Sequence, residues 1–301
     1  MLRTFLIFAA SAVVAVAQSS VWKITRGGNT VYLGGTVHVL RAEDFPLPAE
    51  FDAAFSASQK VYFETDVSRM QSGAVQEAVL QHGMFTDGRS LDQALTPAAW
   101  KVVQEYAAKA GLPLEYVKLM KPWLFAITIA LVELQKIGVS QEGVDLHFYR
   151  RAGETGKATG ELESFERHLQ FLVNFGAGHE SAMIEKSMED IATLPRMLDQ
   201  LIVAWRAGDI AQIDRLLLRD VRQKFPTIHK TLLADRNAAW TPKIEALLRT
   251  SEVEFVLVGA GHLPGRDGLL ALLKARGCTV EQFMPTPSAK SKPQAKTSGS
   301  R

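Results

Sequence analysis

With 301 residues and 47% hydrophobic side chains, the chain has ample material for one large core or two small ones. Its formal charge of +2 hides an asymmetry. Arg3 lies in an apolar leader and Lys290, Lys292, Lys296 and Arg301 lie in a polar tail; without them the body carries −3, which argues against a nucleic-acid groove. The single cysteine, Cys278, excludes an internal disulfide, so stability has to come from packing.

Residues 1–17 read as a secretory signal peptide: a positive Arg3, an apolar run from Phe5 to Val16, and an A-x-A site at Ala15, Val16 and Ala17. The mature chain then starts at Gln18, in the periplasm or outside the cell. No cysteine follows the cleavage site, so no lipid anchor is expected. No later stretch reaches the roughly 18 uncharged apolar residues of a membrane span. The closest, Pro122 to Leu134, contains Glu133 and reads as a buried helix.

The β-rich runs Val21 to Thr25 and Thr30 to Leu33 flank Arg26, Gly27, Gly28 and Asn29, a hairpin signal. The second run continues into Gly34, Gly35, Thr36, Val37 and His38. Pro48 to Ala57 reads as a helix and Lys60 to Phe63 as a strand ending in Glu64, Thr65 and Asp66. From Ser68 to Lys136 the pattern is helical, with Thr96 and Pro97 as a cap and first-turn proline. A short strand between Gly156 and Gly160 precedes Glu161, Leu162 and Glu163, and helices dominate from Phe165 to Leu248. Val253 to Val258 reads as a strand, Gly265 to Ala275 as a helix, and Cys278 to Phe283 as a last strand, Cys278 being a small core residue. The expected fold is therefore α/β: a central, mostly parallel sheet built from N- and C-terminal segments, with surrounding helices and a long helical insertion, over 18–284. Residues 285–301 lack aromatic and large aliphatic side chains and read as a disordered basic tail.

Three apolar strands close on polar groups: VYLGGTVH on His38, VYFETD on Glu64 and Asp66, and VEFVLVGAGH on His262. In an open parallel sheet ligands bind beyond the carboxyl ends of the strands, so these residues converge if the strands are parallel neighbours. Two imidazoles and a carboxylate suit a divalent metal such as zinc, with an open water position. They equally suit a metal-free acid/base pair with Glu64 orienting one histidine. The spacing G-x-x-H occurs three times, at Gly35 to His38, Gly176 to His179 and Gly259 to His262; only the first and last end a β-rich run, and the middle one reads as a decoy.

Other readings are weaker. The glycines of Gly259 to Gly265 followed by Glu281 resemble a spaced dinucleotide fingerprint, but Pro264 removes a backbone donor from the turn and no second βαβ unit follows. There is no G-x-S-x-G, and His179-Glu180 lacks the second histidine of H-E-x-x-H. Ordinary explanations are available for Glu163 (a helix N-terminal carboxylate), Arg236 (a solvated charge), Asp66 (a helix cap) and Asp145 (structural).

Taken together, YLGGTVH (32–38), VYFETD (61–66), KPW (121–123), GVD (143–145), GELES (160–164), RN (236–237) and VGAGHLPG (258–265) resemble the TraB/GumN family, which includes the Tiki-type secreted proteases and, more distantly, erythromycin-esterase and ChaN-like proteins. The resemblance implies helices around a central sheet and an active centre of His38, Glu64 and His262, with Arg236 in support. Similarity to the Tiki branch implies metal-dependent peptide hydrolysis, with manganese or cobalt. His168 stands where that pattern has a glutamine. Two functions follow as expectations. The first is an exported hydrolase acting on a peptide or small-molecule ester, with His38, Glu64 and His262 holding a divalent metal (Mn, Co or Zn) and Arg236 stabilising the oxyanion. The second is a non-catalytic binding protein for a metal or haem-like ligand, with Trp123, Phe125 and Trp205 lining an apolar pocket.

Overall fold

The computed structural model describes residues 18–285 except 141; the leader read at 1–17 and all of the tail beyond Pro285 lie outside them. Six strands form one sheet in the order β4-β3-β5-β2-β1-β6. They are β1 Val21–Arg26, β2 Asn29–Thr36, β3 Lys60–Phe63, β4 Ala158–Glu161, β5 Glu254–Gly259 and β6 Thr279–Gln282. The four strands β4, β3, β5 and β2 run parallel, while β1 is antiparallel to both β2 and β6. The expected hairpin joins β1 to β2 through Gly27 and Gly28, whose φ of 58° and 90° is the left-handed geometry that a tight two-residue turn demands.

The central strands β5 and β2 are continuous apolar runs because both of their faces are covered. On one face Phe51, Phe148, Trp205, Phe255 and Leu257 pack with the helices Ala49–Ala57 and Val144–Thr155. On the other, Leu33, Val256 and Val258 meet Trp240, Ile244, Leu269 and Leu273, and Cys278 is buried there as expected. The helical middle has a third core of its own, around Val103, Phe125, Ile129 and Ile184. Phe125 and Trp205 thus belong to different cores.

Most expected elements are present with small shifts. Thr96 Oγ1 accepts from the Ala99 amide at 3.3 Å, with Pro97 in the first turn. The last helix starts at Leu269 rather than Gly265, because residues 260–268 are spent on a tight turn in which Gly265 takes a φ of 85°. The helix Val144–Thr155 was not read from the sequence, and it bears on the site. Among the described residues no helix is long and apolar enough to cross a membrane.

Candidate active site at the carboxyl rim of the sheet

Parallel pairing brings four strand ends to one rim. Thr36 of β2 is level with Gly259 of β5, and Phe63 of β3 with Glu161 of β4. The residues just beyond, His38, Glu64, Glu163 and His262, therefore arrive together from four distant stretches of chain. The middle G-x-x-H ends instead at His179, the N-cap of the helix Glu180–Ala207, with its ring against Phe225.

Arg236 sits at the centre of this rim. It projects from the helix Asp235–Leu247 just after a π-helical turn, Lys230–Ala234, whose Leu232 carbonyl accepts from Nη1 at 3.3 Å. Nη2 donates to Glu64 Oε2 at 2.6 Å and to Glu163 Oε1 at 2.7 Å, and Nε donates to Glu163 Oε1 at 3.1 Å. Nη1 also lies 3.2 Å from His262 Nε2. The guanidinium is sandwiched against Trp240 and Phe171, with its carbon 4.5 Å and 5.2 Å from the two ring centroids. Far from being a solvated charge, Arg236 is 6% exposed. Its guanidinium therefore organises Glu64 and Glu163.

Glu64 is buried, and its second oxygen accepts the Gly259 amide at 2.6 Å. Burial opposes its charge, but the surrounding imidazoles and Arg236 overcome this and hold the carboxyl well below the usual range. Of these, Arg236 is the permanent charge. Glu163 is held low in the same way against its burial, by His168 and Arg236, and it accepts from Trp240 Nε1 at 3.2 Å. His168 Nδ1 lies 3.0 Å from Glu163 Oε1.

The two histidines are oriented through their Nδ1 atoms. Asn237 donates from Nδ2 to the carbonyls of Asp267 (2.8 Å) and His262 (3.3 Å), which turns its Oδ1 to His262 Nδ1 at 2.7 Å. His262 therefore carries its proton on Nδ1 and keeps a lone pair on Nε2, 3.6 Å from Glu64 Oε1. Burial, reinforced by Arg236 against the pull of Glu64, pushes the ring down to about 4. His38 Nδ1 lies 2.8 Å from Asp145 Oδ2, and Asp145 Oδ1 accepts from Thr36 Oγ1 at 3.0 Å. The Asp145 carboxylate lifts His38 to about 9. Because the His38 side chain is 62% exposed, solvent screens this pair and it adds little to stability.

The GVD segment explains how Asp145 reaches His38. A Cβ on Gly143 would stand 2.1 Å from the His38 carbonyl oxygen, so only glycine lets this loop abut the end of β2. The next amide, of Val144, then donates to the Val37 carbonyl at 3.0 Å, and Asp145 follows in the first turn of its helix. Asp145, read as structural from the sequence, thus belongs to the site. Asp66, by contrast, is the helix cap it was read as: its side chain accepts from the amides of Ser68 and Arg69. Glu163, Asn237 and Trp240 also belong to the site; the usable signal for the last was its position one helical turn after Arg236.

Two donor sets could take a divalent ion. Glu64, Glu163 and His168 place ligand atoms within 4.8 Å of one another, but Arg236 Nη2 already stands among them, 3.2 Å from His168 Nδ1 as well as bonded to both carboxylates. An internal cation fills that position. The set of His38, Glu64 and His262 is more open, and the ligand atoms of these three do not all meet within that same span. Its chemistry fits a metal: each imidazole is held by a polar partner on Nδ1 and presents Nε2, the arrangement that orients metal-binding histidines. The missing Cβ of Gly259 leaves the space between them clear, since that atom would lie 3.1 Å from His38 Nε2 and 3.2 Å from Glu64 Oε1.

Comparison with known proteins supplies relatives and a family. The chain is 24% identical to metalloprotease TIKI1 of Danio rerio over 88% of its own length and 63% of the relative's. It is 25% identical to metalloprotease TIKI1 of Homo sapiens over 88% of this chain and 62% of that one, and 22% identical to the metalloprotease TIKI homolog of Nematostella vectensis over 93% and 71%. The chain thus spans a little under two thirds of the length of the first two relatives. No solved structure matches it. The model of the TraB/PrgY/gumN family matches residues 20–282, which takes in every strand and the whole polar rim, and the chain belongs to that family.

Proposed function

We propose that this protein is an exported, metal-dependent hydrolase that cleaves a peptide or ester bond at the rim formed by His38, Glu64 and His262. The observation that carries the reading is the pair of Nδ1-anchored imidazoles flanking an ionised, buried carboxylate. The names of the relatives, all metalloproteases, support the same reaction class. The leader at 1–17 supports export.

His38, Glu64 and His262 would hold the ion, whether manganese, cobalt or zinc, and it would supply Lewis acidity and a water of pKa about 7. The chain's own groups do the rest. Asn237 keeps the proton of His262 on Nδ1, so Nε2 stays available towards Glu64. Asp145, braced by Thr36, holds His38 with Nε2 turned to the rim. Arg236 fixes Glu64 and Glu163 while Trp240 and Phe171 shield the guanidinium from water. A carboxylate held this way is preorganised and needs no rearrangement during reaction.

The test uses the mature chain from Gln18. Metal content is measured, and peptide and ester cleavage are assayed with and without Mn²⁺ or Co²⁺, beside His38→Ala and His262→Ala. Metal-stimulated cleavage that disappears in both folded variants is expected. Metal bound by the wild type with no turnover of either substrate class would overturn the reading in favour of a carrier.

A further inference from the structure

The strand β4 is the free edge of the sheet nearest the rim. Among the described residues it pairs only with β3, and its four residues are largely exposed. The Leu162 amide donates to the Phe63 carbonyl at 2.9 Å, with Phe63 in register with Glu161. In a parallel ladder successive residues turn their backbone groups to alternate sides, so Gly160 and Leu162 face β3 while Thr159 and Glu161 face outward. β4 is short, four residues, and carries no proline.

Beside the edge lies a cleft of about 370 Å³, walled by Thr65, Asp66, Tyr149, Thr159 and Glu161. Thr65 is 6% exposed, yet its hydroxyl has no hydrogen-bond partner among the described residues. Thr65 forms part of the cleft wall, with its hydroxyl oxygen buried behind the surface. The charged residues lining the cleft, Asp66 and Glu161, are both acidic. Arg69, the neighbouring cation on the Asp66-capped helix, is engaged by Glu166. The cleft is close to the rim along the chain: Thr65 follows Glu64 directly, and Glu163 lies two residues beyond Glu161.

We infer that β4 and this cleft bind the substrate as an extended peptide strand carrying a basic side chain, with backbone pairing to Thr159 and Glu161 and the lysine or arginine between Asp66 and Glu161. This rests on the hydrolase reading for its destination, the rim, but the docking itself is separable from cleavage. Main-chain pairing would supply affinity and the acidic cleft would supply selectivity.

The test measures binding on a His38→Ala background, so that turnover does not consume the probe. The probe is a fluorescein-labelled short peptide of alternating valine and threonine with one central arginine, followed by fluorescence anisotropy. Replacing that arginine with glutamate, or N-methylating alternate peptide amides, is expected to weaken binding about tenfold, equivalent to 1.4 kcal/mol. Glu161→Lys is expected to reverse the preference towards the glutamate peptide. Thr159→Pro removes an outward donor at an edge position that tolerates proline and should weaken binding similarly; the N-methylated peptides carry the test if that variant does not fold. Affinity indifferent to the peptide's charge and to Glu161→Lys, or no binding at all, would overturn the docking even if the wild type cleaves peptides. Charge-selective binding without cleavage by the wild type would leave the docking standing and remove the hydrolase.

Discussion

Arg236→Met is the most informative perturbation of the site. The substitution keeps an unbranched side chain against Trp240 and Phe171 but removes the cation from between Glu64 and Glu163, both buried. Breaking a buried ion pair by deleting one partner costs about 3–5 kcal/mol, because the remaining charge is stranded. With an m-value of about 2–3 kcal/mol/M, the urea midpoint at pH 7 should fall by about 1–2.5 M. The pH dependence identifies the cause. In the wild type both carboxyls are held below their ordinary 4.5, so their contribution is present above that value and lost only as pH falls through the depressed values. In the variant the same groups lose the cation that offsets their burial, so their values rise and protonation relieves the penalty as pH falls. The stability gap between the two proteins should therefore narrow from pH 7 to pH 5. Urea titrations at both pH values measure it. A gap below about 1 kcal/mol at pH 7, or one unchanged at pH 5, would refute a charge-compensating role on the scale expected for buried pairs.

Other consequences follow from the same contacts. With the guanidinium gone, Glu64, Glu163 and His168 become an open ligand group, so Mn²⁺ should raise the midpoint of Arg236→Met more than that of the wild type; equal shifts would count against it. Asp145→Asn should bring the His38 titration midpoint, followed by NMR, down from about 9 towards 6.5, and an unmoved midpoint would show that Asp145 is not the cause. The sign is that of a raised histidine: the pair's small stabilisation exists below pH 6.5 and fades as pH rises through 9. Gly143→Ala should lower the thermal midpoint strongly, because its Cβ would meet the His38 backbone at 2.1 Å; an unchanged midpoint would mean the loop moves at no cost. Gly259→Ala should instead leave the fold within about 1 kcal/mol while cutting cleavage and metal binding, since the atoms nearest its Cβ are on the His38 and Glu64 side chains.

Much of this architecture is readable from local pattern. The apolar runs before His38, Glu64 and His262 are short and rich in β-branched and aromatic residues, and each became a strand of the parallel sheet. The two-glycine hairpin and the Thr96 cap depend on neighbouring residues alone, which is why they survive unaltered. The helix Val144–Thr155 escaped because its polar and aromatic residues offer little apolar periodicity, although its buried face, Val144, Phe148 and Ala152, is spaced at one helical turn.

The composition of the rim was within reach of the linear chain, since a strand must end somewhere and a polar residue at its end marks the place. The roles of those residues were not. Arg236, Asp145 and Glu163 each had an ordinary local explanation, and each was displaced by a partner far away in sequence: 73 residues separate Arg236 from Glu163, and 107 separate Asp145 from His38. Whether a charge is solvated or buried, and which ring nitrogen of a histidine holds the proton, depends on atoms brought close by strand order and by the helix behind the rim. Such electrostatics exist only once distant segments exclude water between them.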